Sequence, residues 1–437
     1  MGIKYGRVEA FHDDQLVVAL PDEELVAKTL AGLGIRIGRV ERSPVLGLAL
    51  MRDLANVDQA VSTLLDSDGI GPELRQFRHE RTLSQAGGPG ADVAALVLLI
   101  RGIHLEFARD YPGWRVTIGK NYRPSPVKGY PHIGGGNGDP RPTDASLGPA
   151  YSGDQPNGEP GSGVRVGLLD TRLYPHPWFA DRYLARRGDL LGSDRETYTV
   201  FDGHSAFVAS RILQEAPAAE LYVHHVLDGQ GDGTAWEAAV AMAETAQTGM
   251  DVVNLSFGEF RTDDNTAPMI FDAAVRQFSP ETVLVAAAGN NGDVDHLPPN
   301  LVPAGLEHNT AAYPAAHVNV VGVGALDQDG KLAAFTPDPA PWISLLAPGV
   351  GLTGAYVRGV VEIEHKDNRG HVLDSKKVAF PGTAVWEGCS FAAGVVSGAI
   401  AARTVPGRKS AREALEELLH PGPGQPSSGI VPNRPGA

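Results

Sequence analysis

Apolar positions in the first third of the chain change period repeatedly. Residues 15–20 form a short apolar run that predicts a strand, and 22–33 carry a helical stripe opened by Pro21 and its acidic neighbours. Residues 35–51 read as two short strands and 56–66 as a second helix. The β-α-β-β-α order predicts a small α+β sandwich of the split βαβ, ferredoxin-like kind. After glycines at 87–90, residues 91–109 form an apolar helix and 114–118 a short strand, so this domain is expected to span 1–120. Residues 121–163 turn to Gly, Pro, Asp and Ser, including Gly134-Gly135-Gly136 and Pro156-Asn157-Gly158, and read as a linker.

Beyond it, five apolar, β-branched runs at 164–169, 221–227, 252–255, 283–287 and 318–323 alternate with helical segments. Strands of that composition are buried on both faces, which predicts an α/β domain around a mainly parallel sheet over 164–420. Residues 357–365 and 371–380 read as a hairpin turning at Asn368-Arg369-Gly370. The last helix, 410–419, opens with Ser410 and Glu413 in capping-box spacing, and 421–437 read as a disordered tail.

Composition narrows the function classes. The 437 residues are 42% hydrophobic and 20% charged, enough to bury a large core without staples. A net charge of −15 makes nucleic acid and anionic membrane surfaces poor partners. One cysteine, Cys389, excludes an intramolecular disulfide and any multi-thiolate metal site. The first apolar run is cut by Pro21-Asp22-Glu23-Glu24, and no run approaches the roughly eighteen apolar residues of a membrane span. The expected location is cytoplasmic.

Four polar residues stand where elements end. Asp170 closes the strand 166–169, at the edge of a parallel sheet where ligands and catalytic groups collect; a turn or cap role fits it as well. His204 heads a run of small and apolar residues that reads as a buried helix and can present its ring outward; a structural or surface histidine fits it as well. Ser390 lies in Gly388-Cys389-Ser390-Phe391-Ala392-Ala393-Gly394, at the start of a small-residue helix whose free N–H groups favour an oxyanion; serine is also a common N-cap. Asn290 follows the strand Ala286-Ala287-Ala288 and offers a side-chain amide, in a sequence that is also an ordinary turn signal.

Their conjunction, with Asn254-Leu255-Ser256-Phe257-Gly258 between His204 and Asn290, resembles the subtilisin-like serine proteases over about 164–420. Tyr313-Pro314-Ala315 and Ala347-Pro348-Gly349 add to the match. The resemblance implies a serine endopeptidase acting through an acyl-enzyme, with Ser390 as nucleophile, His204 as general base and acid, Asp170 orienting the imidazole, and Asn290 with the Ser390 N–H as oxyanion hole. It implies that Ser256, Phe257 and Gly258, and Gly231, Asp232 and Gly233, form two edges clasping an extended protein or peptide substrate. It also implies a propeptide-like or regulatory N-terminal domain packed on the catalytic one. Calcium is the one cofactor the family suggests; Asp293, Asp295, Asp327 and Asp329 fit turns equally well, and no metal residue is assigned. A degenerate peptide-binding module and a peptide ligase or cyclase stand as alternative functions.

Four features depart from the family pattern. Cys389 replaces the usual threonine beside the nucleophile and reads as a small buried hydrophobe. Gly394 stands where proline is usual and is expected to loosen the helix behind Ser390. Arg172 follows Asp170-Thr171 and is expected to face solvent, and the hairpin enters just ahead of the nucleophile.

Overall fold

The computed structural model describes residues 11–84, 93–123, 138–148, 159–180, 182–192, 195–260, 269–302, 306–367, 370–422 and 429–433. The first unit runs β1 (Phe11–Ala19), α1 (Glu23–Gly32), β2 (Arg39–Ser43), β3 (Leu48–Arg52), α2 (Val57–Asp66), α3 (Gly71–Ser84), α4 (Ala95–Asp110) and β4 (Ile118–Tyr122). Its four strands form one antiparallel sheet in the order β2-β3-β1-β4. One face of β1 places Leu16 and Val18 against the helices, while Val17 points to the other side; period-two alternation separates two cores.

The strand expected at 114–118 lies four residues later, at β4. Trp114 is instead partly exposed and stacks edge-on with Phe107 and Tyr111 at the end of α4. Asn121 and Tyr122 therefore belong to a strand, not to a linker. The glycine runs at 134–136 and 156–158 lie outside the described residues.

His104 on α4 is buried, its Nε2–H donating to Val116 O at 3.1 Å and its Nδ1 facing Arg115 Nη2 at 3.4 Å. Burial first, then the Arg115 guanidinium, push its pKa down from 6.5 to about 4. Between those values the unfolded chain binds the proton and the folded one does not, so this stability is present above about pH 6.5 and is lost as pH falls to about 4. Hydrogen exchange across α4 should show protection falling through that window. His104→Gln should flatten the dependence.

The second unit continues with β5 (Arg141–Pro142), β6 (Arg165–Asp170), β7 (Tyr183–Ala185), β8 (Tyr198–Thr199), α5 (His204–Glu215), β9 (Glu220–His225), α6 (Ala235–Ala246), β10 (Val252–Leu255), β11 (Glu259–Phe260), α7 (Met269–Val275) and β12 (Val283–Ala287). There follow β13 (Ala312–Tyr313), β14 (Val321–Leu326), β15 (Ile343–Pro348), β16 (Leu352–Lys366), β17 (Val372–Trp386), α8 (Cys389–Arg403), α9 (Ala411–Leu419) and β18 (Val431–Pro432). Eight strands form the main sheet in the order β18-β15-β14-β12-β10-β6-β9-β7, parallel except for β18. This is the α/β architecture expected from the apolar runs. Helices α5 and α8 cover one face and α6 and α7 the other, with apolar side chains of the central strands feeding both cores.

The tail expected to be disordered contains β18, which pairs with β15, and Ile430 is buried in the main core. Three apolar residues next to an open sheet edge suffice for that. The hairpin is longer than expected, β16 and β17 pairing from Leu352↔Trp386 outward to Lys366↔Val372; of its turn, Asn368 and Arg369 lie outside the described residues.

The two units meet along α6. Val17, Leu48, Leu50 and Tyr122 share a core with Trp236, Ala239 and Met242. Asn121 Oδ1 accepts from Trp236 N at 3.0 Å, so a side chain of β4 satisfies one of the open N–H groups in the first turn of α6.

Candidate active site

Asp170 is the last residue of β6 and His204 the first of α5, so the sheet rim and a helix start bring them together. His204 Nδ1 lies 2.7 Å from Asp170 Oδ1, and their side chains are 3% and 0% exposed. The same Oδ1 accepts from Thr171 N at 2.7 Å, while Oδ2 has no hydrogen bond among the described residues. Thr171 Oγ1 ties the two elements, donating to Phe201 O at 3.0 Å and accepting from Ser205 N at 3.2 Å. The imidazole sits among the rings of Phe391, Trp386 and Phe201, with centroids 5.4, 5.7 and 6.1 Å away. That wall lowers the local dielectric around the pair.

Ser390 is the second residue of α8, held by two kinds of contact. Gly388 precedes the helix at φ 154°, ψ 154°, a conformation side-chain-bearing residues rarely adopt, and its N–H bonds Gly349 O at 2.8 Å. From the sheet, Asn254 Nδ2 donates to Ser256 Oγ at 2.8 Å, and Ser256 Oγ donates to Ser390 O at 2.9 Å. Two turns along α8, Ser397 Oγ donates to Asn254 Oδ1 at 2.9 Å. The side chains of Asn254, Ser256 and Ser397 are all buried, so breaking one strands its partners at a cost of about 1–3 kcal/mol. The Ser390 hydroxyl itself donates to Ser256 O at 3.3 Å.

Asn290 follows β12 and turns its Oδ1 to Cys389 N, 2.9 Å away. The amide is thereby oriented with its Nδ2 end on the side of the Ser390 turn; a Cβ placed on Gly388 would lie 3.7 Å from that nitrogen. Two pairs distant in sequence, Asp170 with His204 and Asn290 with the start of α8, are thus linked through the Phe391 ring, whose centroid is 5.4 Å from that of the imidazole.

The expected substrate edges divide. Ser256 and Phe257 are fully buried, the first holding α8 and the second packed against Phe271, so their side chains serve the scaffold and offer no exposed surface. Gly231, Asp232 and Gly233 lie in a turn organised by Asp228, whose Oδ1 accepts from Gln230 N at 2.8 Å and Asp232 N at 2.9 Å. Asp232 Oδ2 meets Arg123 Nη2, just beyond β4, at 3.4 Å.

The departures acquire physical reasons. Cys389 is fully buried with its thiol 3.6 Å from Thr336 Oγ1, and burial pushes its pKa up to about 12, so it stays protonated and unreactive. Gly394 has a packing role: a Cβ there would lie 3.2 Å from Arg211 Cβ and 3.3 Å from Val208 O, so its absence lets α8 settle closely on α5. Arg172 is not simply solvated. Its Nε donates to Gly188 O at 2.9 Å and its Nη2 lies 3.2 Å from His225 Nε2.

No group of three or more His, Cys, Asp or Glu side chains is placed to hold a metal ion among the described residues. Of the aspartates considered for calcium, Asp327 accepts Asp329 N and Lys331 N in a turn. No described helix is long and apolar enough to cross a membrane.

An Asp–His pair at the rim of a parallel sheet, with a serine at the head of a buried helix, defines the hydrolase class that the motifs suggested. Residues 161–414, more than half of the chain, match the subtilase family, peptidase S8, and the chain belongs to that family. It is similar to Subtilisin Savinase of Lederbergia lenta, 31% identical over 205 residues that make up 45% of this chain and 67% of the relative. To the thermostable alkaline protease of Halalkalibacterium halodurans it is 30% identical over 205 residues, again 45% of this chain but only 50% of that protein's length. Among solved structures, the prenylagaramide maturation protease PagA is similar at 24% identity and a TM-score of 0.41, covering 56% of this chain and 76% of that one.

Proposed function

We propose that the protein is a serine endopeptidase that hydrolyses extended peptides through an acyl-enzyme on Ser390. The buried 2.7 Å contact between Asp170 and His204 carries this reading, because a desolvated carboxylate there fixes which imidazole nitrogen holds the proton and steadies the imidazolium that forms. His204 Nε2 takes the Ser390 proton after the hydroxyl rotates about χ1 away from Ser256 O; such hydrogen bonds commonly tighten only with substrate present. Asn290 Nδ2 and Ser390 N stabilise the oxyanion, and His204 returns the proton to the leaving amine. Covalent labelling of Ser390 by a fluorophosphonate tests this. Wild type should label and turn over peptides, and Ser390→Ala should do neither; an unlabelled wild type that binds peptides would leave a binding module.

The N-terminal unit acts on this site as a propeptide-like or regulatory domain. The apolar contact along α6, the Asn121 bond to its first turn and the Arg123–Asp232 pair at the edge flanking the site support that reading. Asp232 takes a cationic substrate side chain in the place Arg123 occupies, which favours basic peptides.

A further inference from the structure

The hairpin β16–β17 has a use beyond decoration. The last residues of β17 lead through Gly388 into α8 and Ser390, so its outer edge at 383–386 adjoins the site, while the hairpin curls so that His365 and Lys376 near its tip return to Asp139. The chain's own residues 138–143 lie on that edge as an added antiparallel strand. Pro142 pairs with Ala384 and Arg141 with Val385. Trp386 Nε1 donates to Gly138 O at 2.7 Å, and Thr143 and Thr383 exchange hydrogen bonds at the far end. The Trp386 ring stands edge-on to His204, its centroid 5.7 Å away.

Direction matters here. Because the pairing is antiparallel, Gly138 is nearest the site and Thr143 farthest, which is how residues following a scissile bond would run. One side chain of this strand is specifically received: Asp139, 15% exposed, meets His365 Nε2 at 3.0 Å and Lys376 Nζ at 2.9 Å, one donor from each strand of the hairpin. Asp374 lies on the far side of His365, 3.8 Å from Nδ1.

We propose that this edge is a subsite for the leaving side of a peptide substrate, built for an extended strand carrying a carboxylate side chain, and that residues 138–143 fill it as an internal ligand. Strand addition supplies the backbone affinity, and the His365–Lys376 pair supplies the acidic preference. The proposal rests on the peptidase reading for its direction, but binding can be measured without catalysis. A tethered strand competes at high effective concentration, so the internal ligand must be weakened first.

The experiment uses the full chain carrying Ser390→Ala, with Asp139→Ala or Asp139→Arg added; the arginine is repelled by Lys376. Fluorescein-labelled Gly-Asp-Pro-Arg-Pro-Thr and its Gly-Asn-Pro-Arg-Pro-Thr counterpart are titrated by anisotropy, with melting temperatures checking the fold. The Asp peptide should bind about tenfold more tightly than the Asn peptide to at least one variant, and His365→Ala with Lys376→Ala should erase the difference. Equal binding of the two peptides, or no binding to either variant, overturns the subsite. Fluorophosphonate labelling of the Ser390 enzyme fails or succeeds independently, so the two readings fall separately.

Discussion

Asn290→Asp is expected to lower kcat by about 10³-fold or more while leaving the melting temperature nearly unchanged. Asn290 has two ends with different duties. Its Oδ1 accepts from the Cys389 N–H at 2.9 Å and so holds the start of α8; its Nδ2 is the proposed donor to the oxyanion. Aspartate keeps the acceptor and loses the donor, placing negative charge where negative charge must develop. Losing one such donor costs about 10²–10³ in kcat in subtilisin, and added repulsion deepens the loss. Asn290→Ala separates the duties: it forfeits the donor and also leaves the buried Cys389 N–H unpaired, adding about 1–3 kcal/mol of instability. Steady-state kinetics with thermal melts on both variants checks this. If Asn290→Asp turns over like wild type, the oxyanion is stabilised elsewhere.

The parts of this site that could be read from sequence are those written locally. A buried strand ending in Asp170, a small-residue helix beginning near Ser390 and the amide after Ala286-Ala287-Ala288 each announce their position through neighbours in the chain. What could not be read depends on contacts made across the fold. The bond of the Ser256 hydroxyl to Ser390 O spans 134 residues, and Ser397 matters only because α8 brings it over Asn254. Strand β15 alternates between buried and half-buried residues at a sheet position near the edge, and so lacks the continuous apolar run that marked its neighbours. Helix α3 carries little apolar signal because charged residues fill it; Arg81 and Arg101 flank Phe77, a contact that only the fold brings about. The segment around Asp139 read as linker because proline and glycine dominate it, while the partners that order it, His365 and Lys376, come more than two hundred residues later.

Asp170→Asn should reduce kcat by about 10²–10³-fold through loss of charge, with the His204 tautomer preserved. The geometry decides between two ways in which this substitution can act. Where a carboxylate divides its oxygens between partners, an amide can turn its NH₂ toward the histidine and force the wrong tautomer, at a cost near 10⁴. Here one oxygen, Oδ1, takes both the Thr171 N–H and the His204 Nδ1 contact at 2.7 Å, and Oδ2 takes neither. The Thr171 N–H cannot face an amide NH₂, so the asparagine oxygen must stay at the Oδ1 position and still accept from His204. What disappears is the negative charge that favours the imidazolium, together with one well-placed amide nitrogen left buried without an acceptor. The first effect removes the charge that steadies the imidazolium as the proton is taken, so kcat falls. The second costs about 1–3 kcal/mol of stability. NMR of the imidazole nitrogens in Asp170→Asn reads the tautomer directly: a proton still on Nδ1 fits this account, and a proton transferred to Nε2 would refute it and predict the larger kinetic loss.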